Sequence, residues 1–480
     1  MSLLFRIFSM FLSVCMFFIS YPMSFMPSEC DTVFIVQTGN FGENQFVLNG
    51  NSISYDLSGN GRFADGKITF TDKITLDADK VKCSYFNYFG IEYSSSAYLK
   101  GEIVYGRNNK EYAEEFFLEP AENGEFYSFI DGMLERKKAN RFYSLSFEPL
   151  DSDSAELVLK GVATFNREIP AREVYVSNGS IKIGVDMLWG GALSYFEDLD
   201  SNVEAVEVDD VIKVDSHASE RYNVKAVSKN VNLINRFDAG RLIQQSYYGS
   251  NGSSGDGYVP GEYMGNLWNY NPVQGGNQFN ESSKIVDLRV SENELYIKCR
   301  PLDWALPAEN ITPSYMEARY TLDGKKLHAE CRYVDFSGYA PYYTSQEIPA
   351  FYCIEPFNRF VYYGGDNPWE NEALTIEPKL IFWPDAGYPK FFSKENWSAF
   401  IGEFDDSFGL GIYVPNETEF LAGVFDRENT HETDPSRDAS TSYVAVIKFR
   451  TFQSFDPYSY EYYITSGSSA EMRETFSTIG

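Results

Sequence analysis

KLHAECRYVDF, residues 326–336, changes side-chain character at every step: Leu327, Ala329, Cys331 and Tyr333 form one row, and His328, Glu330 and Arg332 form the other. A period of two belongs to a strand with one buried face. The same period returns in AELVLKGVATF (155–165), where Leu157, Leu159 and Gly161 share one side and Val158 and Lys160 the other. Runs of this kind, among them FVLNGNSISYDLSGNG, GKITFTDKITL, AYLKGEIVYG and FYSLSFEPL, fill the first third of the chain between turn signals. Only Tyr127 to Ala139 reads as a short helix. Strand patterns then continue to the C terminus without a long amphipathic helix, so the chain is predicted to be all-β.

At 480 residues the chain is long for one core. Residues 31–168 have the length and turn spacing of a jelly-roll or immunoglobulin-like sandwich. Glu168-Ile169-Pro170 marks its end. A hairpin signal follows, VYV, Ser177-Asn178-Gly179-Ser180, IKIGV, in which Asn-Gly suits a type I′ turn. Residues 171–480 are predicted to form one large supersandwich-like β domain, since no repeat of fixed period supports a propeller. Residues 1–24 read as a secretory signal peptide: Arg6 precedes an uncharged apolar run from Ile7 to about Ser20, too short for a comfortable membrane span. The protein is therefore expected to be secreted or extracytoplasmic.

Asp and Glu number 69 against 40 Lys and Arg, a formal net charge of −29. Such a chain repels nucleic acid and anionic membranes, and neither is an expected partner beyond the signal peptide's own membrane passage. Arg236, Arg241, Arg300, Arg319 and Arg332 leave room for a local positive site facing a polyanionic glycan. Outside the signal, Cys30, Cys83, Cys299, Cys331 and Cys353 are odd in number and lack a CxxC pair, so they do not form a disulfide framework. Cys299 and Cys331 lie on apolar strand faces and read as buried thiols, with a single bridge between them as the alternative. His217, His328 and His431 are isolated, which argues against a zinc or haem site. No cofactor is expected; structural calcium stays open at Asp209-Asp210 and Asp405-Asp406.

The chemistry concentrates in NRFDAGRLIQQSYYG (235–249) and WNYNPVQGGNQ (268–278). Arg241, Gln244, Tyr247, Tyr248, Trp268, Asn271 and Gln274 combine aromatic faces with planar hydrogen-bonding groups. Sugars call for that mixture, because their C–H faces stack on rings and their hydroxyls need oriented partners. A polysaccharide or oligosaccharide is the expected ligand. The loop Gly249–Gly261 reads as a flexible insertion able to cover a cleft. Glycoside hydrolysis requires two carboxyl groups. Glu347, in SQEIPAFY, is the first candidate, since Pro349 beside it points to a strand end or edge. Asp238 is the second, between Arg236 and Arg241, although an Asp before Ala-Gly-Arg also suits a turn. Glu317 and Asp366 are held in reserve. A lyase would instead use Tyr247 or Tyr248 as base with Arg241, Asn271 and Gln274 on the uronate, or His217 as base. A noncatalytic glycan binder would use Trp189, Trp268, Trp304, Trp369 or Trp397 as platforms.

The blocks GRLIQQSYYG, YNPVQGG, SQEIPAFY, YYGGDNPW and NWSAFIGEFDDSFGLGIYVP together resemble a family of secreted bacterial β-sandwich proteins associated with polysaccharide breakdown, over residues 180–475. The resemblance implies a supersandwich of the galactose-mutarotase-like type and a glycan-processing context. In that pattern Asp follows YNPVQGG, where this chain has Asn277. The preferred expectation is a glycoside hydrolase with Glu347 and Asp238 as its paired carboxyls.

Overall fold

The computed structural model describes residues 35–130, 138–169, 172–200, 211–213, 220–222, 231–381, 389–402, 406–426 and 434–479. Among them, strands dominate and are arranged in stacked sheets. A seven-stranded and a five-stranded sheet, built from residues between Gln45 and Phe165, enclose one core that includes Phe46, Phe89, Leu99, Phe142 and Leu159. From Glu173 onward a ten-stranded sheet faces a nine-stranded one. Ile183, Ile243, Phe351 and Val444 of the first meet Ile297, Met316, Ala329 and Ile464 of the second in a shared core. KLHAECRYVDF behaves as its alternation requires. Leu327, Ala329, Cys331 and Tyr333 are buried in that core, and His328 on the opposite row meets Glu461 at 2.7 Å.

Three local expectations are corrected. Tyr127 to Phe129 ends a strand, Ala121–Phe129, and Ala139 begins another; residues 131–137 lie outside the described ones. FYSF is apolar enough to fit either period, and pairing with Tyr88–Ser95 decides it. The hairpin at Asn178-Gly179 forms, yet only Gly179 takes a positive φ, of 91°. Asn178 contributes its carboxamide oxygen, which accepts from the Ser180 and Ile181 amides, both at 3.0 Å. The Gly249–Gly261 loop is anchored: Ser250 Oγ and the Ala340 amide donate to Asp256 at 2.6 and 2.8 Å, and Tyr258 donates to Asp303 at 3.0 Å. At the C terminus a short helix, Ser469–Ser477, closes with a capping box and packs Met472 and Phe476 against Trp397 and Tyr413.

Four of the arginines that left room for a local positive site pair with separate carboxylates. Arg300 pairs with Glu115 at 3.1 Å, Arg319 with Glu294 at 2.6 Å, Arg332 with Glu119 at 2.5 Å, and Arg236 with Glu173. Two of these pairs, Arg300–Glu115 and Arg332–Glu119, join the first sandwich to the second, with Lys284–Glu114 and the Tyr88 hydroxyl on Asp287 at 2.8 Å. Cys83, Cys299, Cys331 and Cys353 are free thiols, the last three buried.

Asp287 is the most heavily used carboxylate of this seam, holding Tyr88, Arg167 at 3.1 Å and Arg289 at 2.8 Å while almost fully buried. Removing it takes a buried carboxylate from Arg289 and Arg167 and an acceptor from Tyr88. Asp287→Ala is expected to cost about 3–5 kcal/mol in denaturant unfolding, and a loss below 1 kcal/mol would show that the seam is dispensable.

Candidate functional site

One strand, Tyr342–Ile354, sits inside the ten-stranded sheet between Ile243–Ser246 and Thr441–Phe452. The strand end or edge anticipated from Pro349 is therefore not found. Proline is accommodated because the register slips between Glu347 and Ala350, and a bulge removes the need for its missing N–H. The bulge also resets the alternation: Ser345, Glu347, Ala350 and Tyr352 share the face turned away from the core, and all four line one cavity.

That cavity, of about 350 Å³, lies in the range of small-ligand sites. Its floor is the sheet face of Ala350, Tyr352, Tyr443 and Ile447, with Tyr352 stacked on Tyr443 at 4.5 Å. Its wall is the hairpin of Gly261–Tyr263 and Asn266–Trp268, which brings Tyr263 within 5.1 Å of Trp268 and 5.5 Å of Trp304, ring to ring and edge-on in both cases. Gly240 is required at the rim, since a Cβ there would stand 2.6 Å from Trp304 Cη2.

Glu347 is the carboxylate of this lining. The Tyr248 hydroxyl donates to its Oε1 at 3.2 Å, and Tyr443 hydrogen-bonds it as well. Burial pushes its pKa up, against the opposing pull of the two phenols, because desolvation penalises the charged form more than those bonds favour it. Burial, and next the charge of Glu347, push Tyr248 and Tyr443 well above the ordinary phenol value. Both remain neutral donors at physiological pH. Gln346 fixes Tyr248 from behind, accepting from its amide at 2.7 Å and donating to its carbonyl at 2.9 Å.

The remaining candidates divide by position. Trp268 and Asn271 line the cavity and are joined by Trp268 Nε1 donating to Asn271 Oδ1 at 3.0 Å; Asn271 in turn donates to the Tyr247 carbonyl at 2.7 Å. Gln244 touches the cavity while clamping the 239–241 turn, with Nε2 on the Ala239 carbonyl at 2.9 Å and Oε1 accepting from Gly275 N at 2.7 Å. Asp238 and Arg241 face an adjoining cavity of about 270 Å³, which shares Tyr263 and Trp304 with the first. There Asp238 Oδ1 accepts from the Gly240 and Arg241 amides at 3.0 and 3.1 Å, so it does form the turn its sequence suggests. Arg241 lies 3.8 Å from it and over the Tyr352 ring. Tyr247 and Gln274 are outside both linings: Tyr247 is in the core, stacked on Tyr333 at 4.3 Å, and buried Gln274 accepts from the Gln245 amide at 3.3 Å.

Glu317 is a buried structural ion. Burial alone would raise it, but Lys298 and Arg332 hold it at about 2. Asp366 is an exposed partner of Lys394. Trp397 is in the core, donating to Glu395. His217, Asp209, Asp210 and Asp405 lie outside the described residues, among which no cluster of metal-ligating side chains is found. The sequence reading missed Tyr263, Tyr352 and Tyr443. Tyr443 had a signal, the alternation Tyr443, Ala445, Ile447; Tyr352 was hidden by the bulge.

No protein-family model and no curated protein matches the chain. Among solved structures, an Escherichia coli protein provisionally assigned as an aldose 1-epimerase is 10% identical, with TM-score 0.34, covering 62% of this chain and 99% of its own. A GH36 α-galactosidase from Geobacillus stearothermophilus is 11% identical, with TM-score 0.32, over 62% of this chain and 40% of its own. An α-mannosidase from Enterococcus faecalis is 8% identical, with TM-score 0.31, over 85% and 43%. Likenesses of this size decide neither substrate nor reaction.

The Tyr248 bond favours the ionised form of Glu347. Tyr248→Phe is therefore expected to raise the Glu347 pKa further, read by a carboxyl-resolved NMR titration; a downward or absent shift would show that the bond does not form. Ionising Glu347 also costs stability. Because its folded pKa is raised, its contribution is full below the unfolded value of about 4.3 and is lost as pH rises through the folded one. The melting temperature of Glu347→Gln should gain on the parent over that window and then level off.

Proposed function

We propose that the protein is a secreted carbohydrate-active enzyme, a glycoside hydrolase cleaving a polysaccharide, with Glu347 as proton donor to the leaving oxygen. The observation that carries this reading is the carboxyl itself: half-buried, raised in pKa, held by two phenols and boxed by Trp268, Trp304, Tyr263 and Tyr352. A carboxyl whose proton affinity burial has raised is suited to deliver a proton to a glycosidic oxygen. The rings offer faces for the sugar, while Asn271 and Gln244, whose amide N–H groups are spent on Ser246, Tyr247, Ala239 and Arg241, hold the lining in place. Asp238 is the second carboxyl of the reading. It lines the adjoining cavity, which shares Tyr263 and Trp304 with the first. Export is supported by Arg6 and the apolar run after it.

β-Elimination is supported less well. Proton abstraction from C5 needs a phenolate, whereas burial and the neighbouring carboxylate hold Tyr248 as a neutral phenol, and Arg241 faces the adjoining cavity.

The test is a screen of the mature protein against neutral and uronate polysaccharides, following reducing ends and ultraviolet absorbance together. New reducing ends without absorbance are expected, with Glu347→Gln lowering the rate by roughly 10²- to 10⁴-fold and Asp238→Asn lowering it too. The rate should fall as pH rises through the Glu347 pKa, because the acid form does the work. Absorbance would replace the hydrolase with a lyase, and binding without products in either channel would replace it with a glycan-binding protein.

A further inference from the structure

The cavity face of the ten-stranded sheet does not end at Glu347. Two residues before it along the strand come Ser345 and then Tyr343, on the same side of the pleat. Across the ladder Ile447 opposes Glu347, and Phe449 opposes Ser345. The outer strand Lys390–Phe392 continues this face: Lys390 opposes Leu421, which lines the cavity, while Phe391 turns the other way into the core. Three large aromatics stand on this extension with most or much of their surface in solvent, Tyr343 at 66%, Phe392 at 59% and Phe449 at 47%. Tyr343 and Phe449 form a tilted pair at 6.1 Å, and the Lys390 ammonium lies 5.3 Å over the Phe449 ring.

Exposed rings on a polar, strongly charged protein call for an occupant. From Glu347 to Tyr343 is four strand residues, roughly 13 Å, which is longer than one sugar ring. We infer that Tyr343 and Phe449 form a remote binding platform for the same glycan chain whose end or bond lies beside Glu347, so that the substrate is held along the strands over several sugar units. This rests on the reading of the Glu347 cavity as a sugar site. The occupant is specified by continuity and chemistry together. The platform and the cavity share one sheet face without an intervening strand, and the face sets rings for C–H stacking beside polar groups for sugar oxygens: the Ser345 hydroxyl at the cavity end, and the Lys390 ammonium, paired with Glu419, over the Phe449 ring. A second protein surface would meet the same rings, but it would have no use for their alignment with a carboxyl-bearing cavity.

The experiment is affinity electrophoresis of the full chain through gels containing xylan, mannan, mixed-linkage β-glucan, starch or pectin, in the Glu347→Gln background so that nothing is consumed. Tyr343→Ala with Phe449→Ala is compared with the single variants and with Tyr175→Ala, an exposed ring on another part of the protein. At least one gel is expected to retard the Glu347→Gln protein, and the double variant is expected to weaken that retention tenfold or more with an unchanged melting temperature, while Tyr175→Ala leaves it as it was. Equal retention in the double variant, or retention by none of the gels, would overturn the platform. Retention lost in the double variant of a protein that cleaves no polysaccharide would instead remove the hydrolase reading and leave the platform standing.

Discussion

The site depends on one extra residue in one strand. Tyr342–Ile354 is hydrogen-bonded on both sides, so its backbone cannot drift, and each side chain goes either to the core or to the opposite face. Strict alternation would place Glu347 and Tyr352 on opposite faces, because five positions separate them. The bulge between Glu347 and Ala350 absorbs one residue and brings them to the same side. It lets Ile348, Phe351 and Cys353 stay in the core while Glu347 reaches the cavity. Shifted by one residue, the strand would bury an unpaired carboxylate among apolar side chains, a cost of several kcal/mol for the charged form.

How much of this was legible follows from the range of each interaction. Local alternation is written in the chain, and KLHAECRYVDF could be assigned to a strand with its buried row named residue by residue. Glu347, Tyr248, Trp268 and Asn271 were singled out by residue type and do line one cavity. What sequence could not supply was long-range register. Whether Tyr247 or Tyr248 faces the cavity is a matter of parity fixed by pairing Ile243–Ser246 with the bulged strand, and Tyr247 lost its expected place to the core. The same limit explains the arginines. Their positions left room for a cluster, but Arg332 on Glu119 and Arg300 on Glu115 meet carboxylates far away in sequence, while Arg241 stays beside Asp238 three residues before it.

Those pairs also make sense of an acidic chain with few cations. With a formal net charge of −29, self-repulsion works against compaction. The chain places Arg and Lys where they neutralise carboxylates at the seam between sandwiches, as with Lys284 on Glu114 and Arg167 and Arg289 around Asp287. Buried pairs of this kind add modestly to net stability, because desolvation offsets most of the attraction, but they penalise misdocking strongly. The seam thus fixes how the first sandwich meets the nine-stranded sheet, through Arg300 and Arg332 on strands Glu294–Arg300 and Lys326–Asp335.

The cavity reverses the logic of the seam. At the seam a carboxylate such as Glu317 is buried with cations, and its proton affinity falls to about 2. In the cavity Glu347 is crowded by neutral rings and given phenol donors in place of a cation, and its proton affinity rises. Arg241, which lines the adjoining cavity, is turned toward Tyr352 and the Ala439 carbonyl. Two carboxylates in one protein therefore acquire opposite proton affinities from their neighbours alone. The first arrangement holds a structure together. The second raises the proton affinity of a carboxyl at some expense in stability, as burial also does for Asp303 beside Tyr258.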